Sequence, residues 1–117
     1  MTSATGIDPT ELPSPIRDYL AAHAERRTGD AARLFDPDAV VVDEGRTYRG
    51  TEEVLEFLTT AGSEFTYTTT LVGCERADDD HWLVGIRLDG NFPGGTADLT
   101  YRFTLSGGHI AELVIGV

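Results

Sequence analysis

The hydrophobic period of this chain changes once, and that change bounds what the chain can fold into. Before about residue 62 the apolar residues recur at helical spacing, broken by one short β-branched run. From Ser63 onward they alternate with polar residues, the period of strands with one buried face. A chain of 117 residues with helices first and long strands after them reads as one α+β domain, large enough to bury a core without staples.

Residues 1–13 are small, polar and proline-containing and read as a flexible N-terminal arm, with the folded domain over 14–117. Ser14-Pro15 reads as a helix start, Ser as cap and Pro in the first turn. Ile16, Tyr19, Leu20, His23 and Arg27 then share one helical face. Gly29 is expected to end that helix, and Asp30 to cap a second, short one over Ala31 to Phe35. Asp36-Pro37-Asp38 reads as a turn, Ala39 to Asp43 as a strand, Glu44-Gly45 as a turn and Arg46 to Arg49 as the returning strand. Gly50-Thr51 opens a third helix, with Thr51 as cap, Glu52 and Glu53 in the first turn, and Val54, Leu55, Phe57 and Leu58 as its apolar stripe. Gly62 ends it.

In the second half Phe65, Tyr67, Thr69 and Leu71 alternate with Thr66, Thr68 and Thr70. Trp82, Val84, Ile86 and Leu88 alternate with Leu83, Gly85, Arg87 and Asp89, and Leu99, Tyr101, Phe103 and Leu105 with Asp98, Thr100, Arg102 and Thr104. Asp78-Asp79-Asp80, Gly90 to Gly95 and Ser106-Gly107-Gly108 connect them, and Ile110 to Val117 is the last strand. Four long strands with short turns make an antiparallel meander.

The formal net charge of −11 argues against nucleic acid or an anionic membrane as partner. No apolar run approaches membrane-spanning length, residues 1–13 lack a signal-peptide core, and the expected location is cytoplasmic. Every basic residue is Arg, which with abundant Ala, Gly and Asp points to a bacterial source. Cys74 stands alone, so no internal disulfide forms, and it reads as a small buried hydrophobe. There is no phosphate loop, dinucleotide fingerprint or metal-ligand spacing, so no cofactor is expected.

Several local stretches, taken in order, resemble the nuclear-transport-factor-2-like superfamily and its SnoaL-like branch. They are Thr28-Gly29-Asp30 with Leu34-Phe35, Asp38-Ala39-Val40-Val41-Val42-Asp43, Tyr48-Arg49-Gly50-Thr51-Glu52-Glu53-Val54, and Phe103 to Ile110. The resemblance covers residues 14–117. It implies a cone-shaped α+β barrel: three helices packed on a strongly curved, mainly antiparallel sheet around one pocket, with homodimers formed through the sheet. The superfamily hosts ketosteroid isomerases, polyketide cyclases, epoxide hydrolases and dehydratases, so the fold alone does not assign a function.

Asp43 ends an apolar strand and falls where the isomerases carry their catalytic Asp, so it is the candidate general base. The isomerases also need two oxyanion donors. Counting back from Gly29 and from Phe103 puts Ala22 and Leu99 at those positions, with Tyr19 one turn earlier as a substitute. Arg87 and Asp89 resemble the Arg-x-Asp pair of limonene-type epoxide hydrolases, but Ile115 stands where the second Asp belongs, and the pair reads as a surface pair. His23, on the apolar face of the first helix, is the candidate partner of Asp43. Tyr19, Tyr48, Phe57, Phe65, Trp82 and Tyr101 are the candidate ligand-lining residues. The face bearing Thr66, Thr68, Thr70, Thr100 and Thr104 suits cover by a second subunit. Two readings stand: a homodimeric binder of a small apolar or flat molecule, and a cofactor-independent cyclase, isomerase or dehydratase with Asp43 as base, assisted by His23 or Tyr48.

Overall fold

The computed structural model describes residues 5–43, 45–60, 67–91 and 93–116. The elements follow the order β1 (Thr5–Ile7), α1 (Ser14–Ala24), α2 (Thr28–Ala32), β2 (Phe35–Asp43), β3 (Arg46–Arg49), α3 (Gly50–Thr60), β4 (Tyr67–Arg76), β5 (His81–Gly90), β6 (Thr96–Ser106) and β7 (His109–Gly116). Among the described residues seven strands form one sheet, in the order β1-β4-β5-β6-β7-β2-β3. All neighbours are antiparallel except β2 and β7, which run parallel. The two halves marked by the change of period are therefore real, and α3 sits after the β2–β3 pair rather than with the first two helices.

Residues 5–12 pack on the fold where a loose arm was expected. Thr5, Gly6 and Ile7 pair with Arg76, Glu75 and Cys74 at the edge of β4. The Cys74 thiol donates to the Ile7 carbonyl at 3.2 Å, and Leu12 is buried in the core. A single 3₁₀ turn over Pro9–Glu11, capped by the Asp8 carboxylate, joins strand to helix. Composition marked this segment as polar; backbone pairing and one leucine hold it down.

Helix α1 starts at Ser14 itself, with Pro13 at the cap and no side-chain cap bond. Its end differs from the expectation too. The Arg26 N–H donates to the His23 carbonyl at 3.1 Å and the Arg27 N–H to the Ala22 carbonyl at 2.8 Å. Those two bonds are a Schellman turn, and the left-handed residue it requires is Arg26, at φ 57°. Gly29, expected to end the helix, lies inside α2. In α3 the cap also differs: the Glu53 carboxylate reaches back to accept from the Arg49 N–H at 3.1 Å. Val54, Phe57 and Leu58 are its buried stripe, while Leu55 is exposed. The Asp36-Pro37-Asp38 turn is present but lies within β2, as the irregularity between Phe35 and Val40 in its register with β7.

Two further register shifts bend the sheet, between Leu71 and Gly73 in β4 and between Thr104 and Leu105 in β6. In β4 the shift swaps the faces. Tyr67, Thr69 and Leu71 are half-buried, Val72 is exposed, and then Cys74 is buried. The sheet's inner face and the three helices share one core. A central row of that face runs Val41, Leu113, Phe103, Trp82. The parallel row two residues on runs Asp43, Ile115, Tyr101, Val84, Cys74. On the outer face Thr68, Thr70 and Thr100 are exposed and Thr104 is half-buried; Thr66 lies outside the described residues. Arg87 is also exposed, with its Nε 2.8 Å from Asp98, and Asp89 accepts from the Thr96 hydroxyl, the surface arrangement expected of that pair. No described helix is long and apolar enough to cross a membrane.

Candidate functional site

A cavity of about 170 Å³ opens where α1, α2 and α3 meet the start of β4. Among the described residues it is lined by Ala22, His23, Arg26, Thr28, Ala31, Leu58, Thr59 and Tyr67. Each helix contributes by its own local logic. Ala22, His23 and Arg26 are the last inward turn and reversal of α1. Thr28 and Ala31 share one face of α2 at i, i+3, and Leu58 and Thr59 come from the end of α3. Tyr67 is the first residue of β4. The lining is more mixed than the apolar pocket suggested by the aromatic inventory. His23, Arg26, Thr28, Thr59 and Tyr67 carry polar atoms, against the aliphatic Ala22, Ala31 and Leu58.

Arg26 is the unusual member. Left-handed backbone costs an L-residue with a Cβ roughly 1–2 kcal/mol, which is why glycine is common in such turns. Here the arginine occupies it and lays its guanidinium over the Tyr67 ring, 5.5 Å from the centroid. His23, one residue from the helix end, stacks on Tyr19 with ring centroids 5.7 Å apart and planes nearly parallel. Burial lowers the His23 pKa, and the Arg26 charge lowers it further, so its neutral form is favoured.

Beneath the cavity lies a cluster of phenols. Tyr19 is fully buried, its ring edge-on to Phe35 and Phe103, and its hydroxyl has no hydrogen-bond partner among the described residues. Burial raises its pKa well above the ordinary value, and Tyr101, Tyr67 and Asp43 raise it further. Tyr101 is raised by burial first, then by Tyr67 and Asp43. Asp43 stands opposite Ile115, which stands opposite Tyr101, so the carboxylate belongs to the inner face of the sheet and is half-buried there.

The residues singled out from sequence thus fall in three places. His23 lines the cavity. Asp43, Tyr19 and Tyr101 form the polar cluster in the interior. Phe57 and Trp82 are core residues, Tyr48 packs on Phe57 at 5.3 Å beneath the Arg46 guanidinium, and Arg76 covers Trp82. Phe65 lies outside the described residues. The count that put Ala22 at a donor position used Gly29 as the helix end. The helix ends before Arg26, and the phenol that α1 brings to the interior is Tyr19. On β6 the inward polar residue in the Asp43 row is Tyr101 rather than Leu99. Arg26 and Tyr67 were missed. Their signal was faint: an arginine two residues past the last residue of the helix, and an aromatic that opens a threonine-rich strand. Among the described residues no group of three or more His, Cys, Asp or Glu is placed to hold a metal.

Residues 16–113 match the SnoaL-like domain family. A protein from Sinorhizobium meliloti assigned as a polyketide cyclase is similar over 94% of this chain and 100% of its own, at 33% identity and TM-score 0.86. Two more distant structures share the fold. One is a Catenulispora acidiphila protein with a ketosteroid isomerase-like fold, solved with trimethylamine (18% identity, 91% of this chain and 86% of that one, TM-score 0.78). The other is a Kribbella flavida protein assigned as a ketosteroid isomerase (14% identity, 88% and 74%, TM-score 0.75). No curated protein sequence matches. The likeness over nearly the whole chain, with the family match across both helices and sheet, makes this chain a member of the SnoaL-like domain family.

Proposed function

We propose that this protein binds a small molecule in the cavity between the three helices and Tyr67. The observation that carries the reading is the lining itself: an aliphatic wall of Ala22, Ala31 and Leu58 faces polar groups from five other residues, the composition of a ligand site rather than of a packing fault. The test is an amide NMR titration with phenol, a neutral ring of matching size. Shifts concentrated at His23, Arg26, Thr28, Leu58, Thr59 and Tyr67, and abolished by the cavity-filling Ala31→Leu, are the expected result. Shifts scattered over the surface, or unchanged in Ala31→Leu, would remove the reading.

A second reading is favoured by one specific feature, the half-buried Asp43 in a row with Tyr101 and near the Tyr19 hydroxyl, which has no partner among the described residues. An inward carboxylate on the same side of the sheet as two phenols that stay protonated is an arrangement for moving a proton at carbon next to a carbonyl, with Asp43 as base and a phenol holding the oxygen. That is the chemistry of an isomerase, cyclase or dehydratase. Deuterium exchange into small cyclic ketones, lost in Asp43→Asn and slowed in Tyr19→Phe, would support it; exchange at the rate of buffer alone would dismiss it. The exposed Thr68, Thr70, Val72 and Thr100 face supports a homodimer through the sheet, to be tested by sedimentation of wild type against Thr100→Lys.

A further inference from the structure

The cavity and the phenol cluster lie back to back. Among the described residues two rings line the cavity, and both reach towards the cluster. His23 stacks on Tyr19. Tyr67 acts on the cluster electrostatically: burial first, and Tyr67 after it, raises the pKa of both Tyr19 and Tyr101. We propose that cavity and cluster are two chambers of one site, and that the Tyr67 ring is the movable partition between them. The guest that this arrangement fits is a flat molecule of two fused rings with an oxygen at its inner end. The inference rests on the reading that the cavity is the ligand site, and adds the length of the guest and the residue that selects it.

Four observations converge. First, the cavity alone holds little: an apolar cavity of about 150 Å³ accommodates benzene, and this one is about 170 Å³. Second, the cluster is closed. Tyr19 is 0% and Tyr101 5% exposed, so a molecule meets them only when a wall moves. Third, the Tyr19 hydroxyl is buried with no hydrogen-bond partner among the described residues. Buried polar atoms are normally paired, and an oxygen arriving from the cavity supplies the missing partner. Fourth, Tyr67 is placed to move. It is half-buried, and the residue opposite it on β5 is Gly90, which has no side chain to brace the ring. The Arg26 guanidinium over its face is a weaker contact than the burial of a second ring of the guest.

The experiment is an NMR titration of wild type, Tyr67→Ala and Tyr67→Phe with phenol and with 2-naphthol, reading nuclear Overhauser contacts from the protons of the guest. In wild type, phenol is expected to contact the cavity residues alone, and 2-naphthol to contact the Tyr19 and Tyr101 rings as well. Tyr67→Ala removes the partition. Phenol should then reach Tyr101 too, and 2-naphthol should bind at least about tenfold more tightly than to wild type. Tyr67→Phe keeps the ring and should behave as wild type. The wild-type comparison of the two guests decides the question even if Tyr67→Ala does not fold. If 2-naphthol fails to bind wild type, or contacts the cavity residues alone, while phenol binds, the partition is overturned and the cavity stands as a ligand site. Tyr67→Phe behaving as Tyr67→Ala would overturn the role of the ring. Absence of cavity contacts with either compound would overturn both this inference and the reading beneath it.

Discussion

The two ends of α1 do opposite things with the same helical face. At one end Ile16 is fully buried and the Tyr19 ring packs edge-on to Phe35 and Phe103. At the other, one turn later, Ala22 and His23 leave a cavity, and Arg26 bends the chain away in a conformation that costs energy. The first end contributes stability through close packing. The second spends some of that stability on a space, a held charge and a histidine kept neutral, which is how fold and site share one small domain.

Variants along this helix and its neighbours can break or sharpen that contrast. The largest effect is expected at the packed end. Phe103→Ala should destabilise by about 3–5 kcal/mol in urea unfolding, since its ring is fully buried against Tyr19 and Tyr101; a loss as small as that of a surface substitution would mean the packed end is not packed. Tyr19→Phe should do the reverse. It keeps the ring and removes a buried hydroxyl with no partner among the described residues, so stability should rise by about 1 kcal/mol. A fall instead would show that the hydroxyl is satisfied in the unliganded protein.

The reversal at Arg26 is next. Arg26→Gly and Arg26→Ala both lack the guanidinium, so their difference isolates the backbone, and the glycine variant should be the more stable by about 1 kcal/mol. Equal stabilities would mean that the left-handed turn is not held in solution. The smallest effect is the pH response of His23. Its folded pKa lies below the ordinary value of about 6.5, chiefly through burial. Above that pH neither state is protonated and the residue contributes nothing. As the pH falls through it, the unfolded chain takes up the proton first, so stability declines on acidification. His23→Gln should flatten that part of the stability profile below about pH 6.5; an unchanged slope would assign the decline to other groups.

Much of this was legible in the chain. The change of hydrophobic period located the helices and the meander, and the alternation of Trp82, Val84, Ile86 and of Tyr101, Phe103 marked the buried face, because a strand with one dry side leaves that trace in its sequence. Asp43 could be picked out at the end of an apolar strand, and His23 on an apolar helical face. The docking of residues 5–12 could not, since strand pairing uses backbone groups that every sequence has. Nor could the register shift after Leu71, which moves Cys74 inward and leaves Val72 60% exposed.

By itself, then, the sequence determined the element types, their order, the buried stripes and the membership in a family that puts helices inside a bent sheet. The tertiary structure decided where the cavity is and what lines it. Arg26 and Tyr67 belong to different elements, and nothing local to either announces the other. They meet because a helix ends in an arginine-capped turn just where the curved sheet begins. Local patterns report which face of an element is dry, whereas a site is made by the meeting of elements, and that depends on bend and register summed over the whole fold.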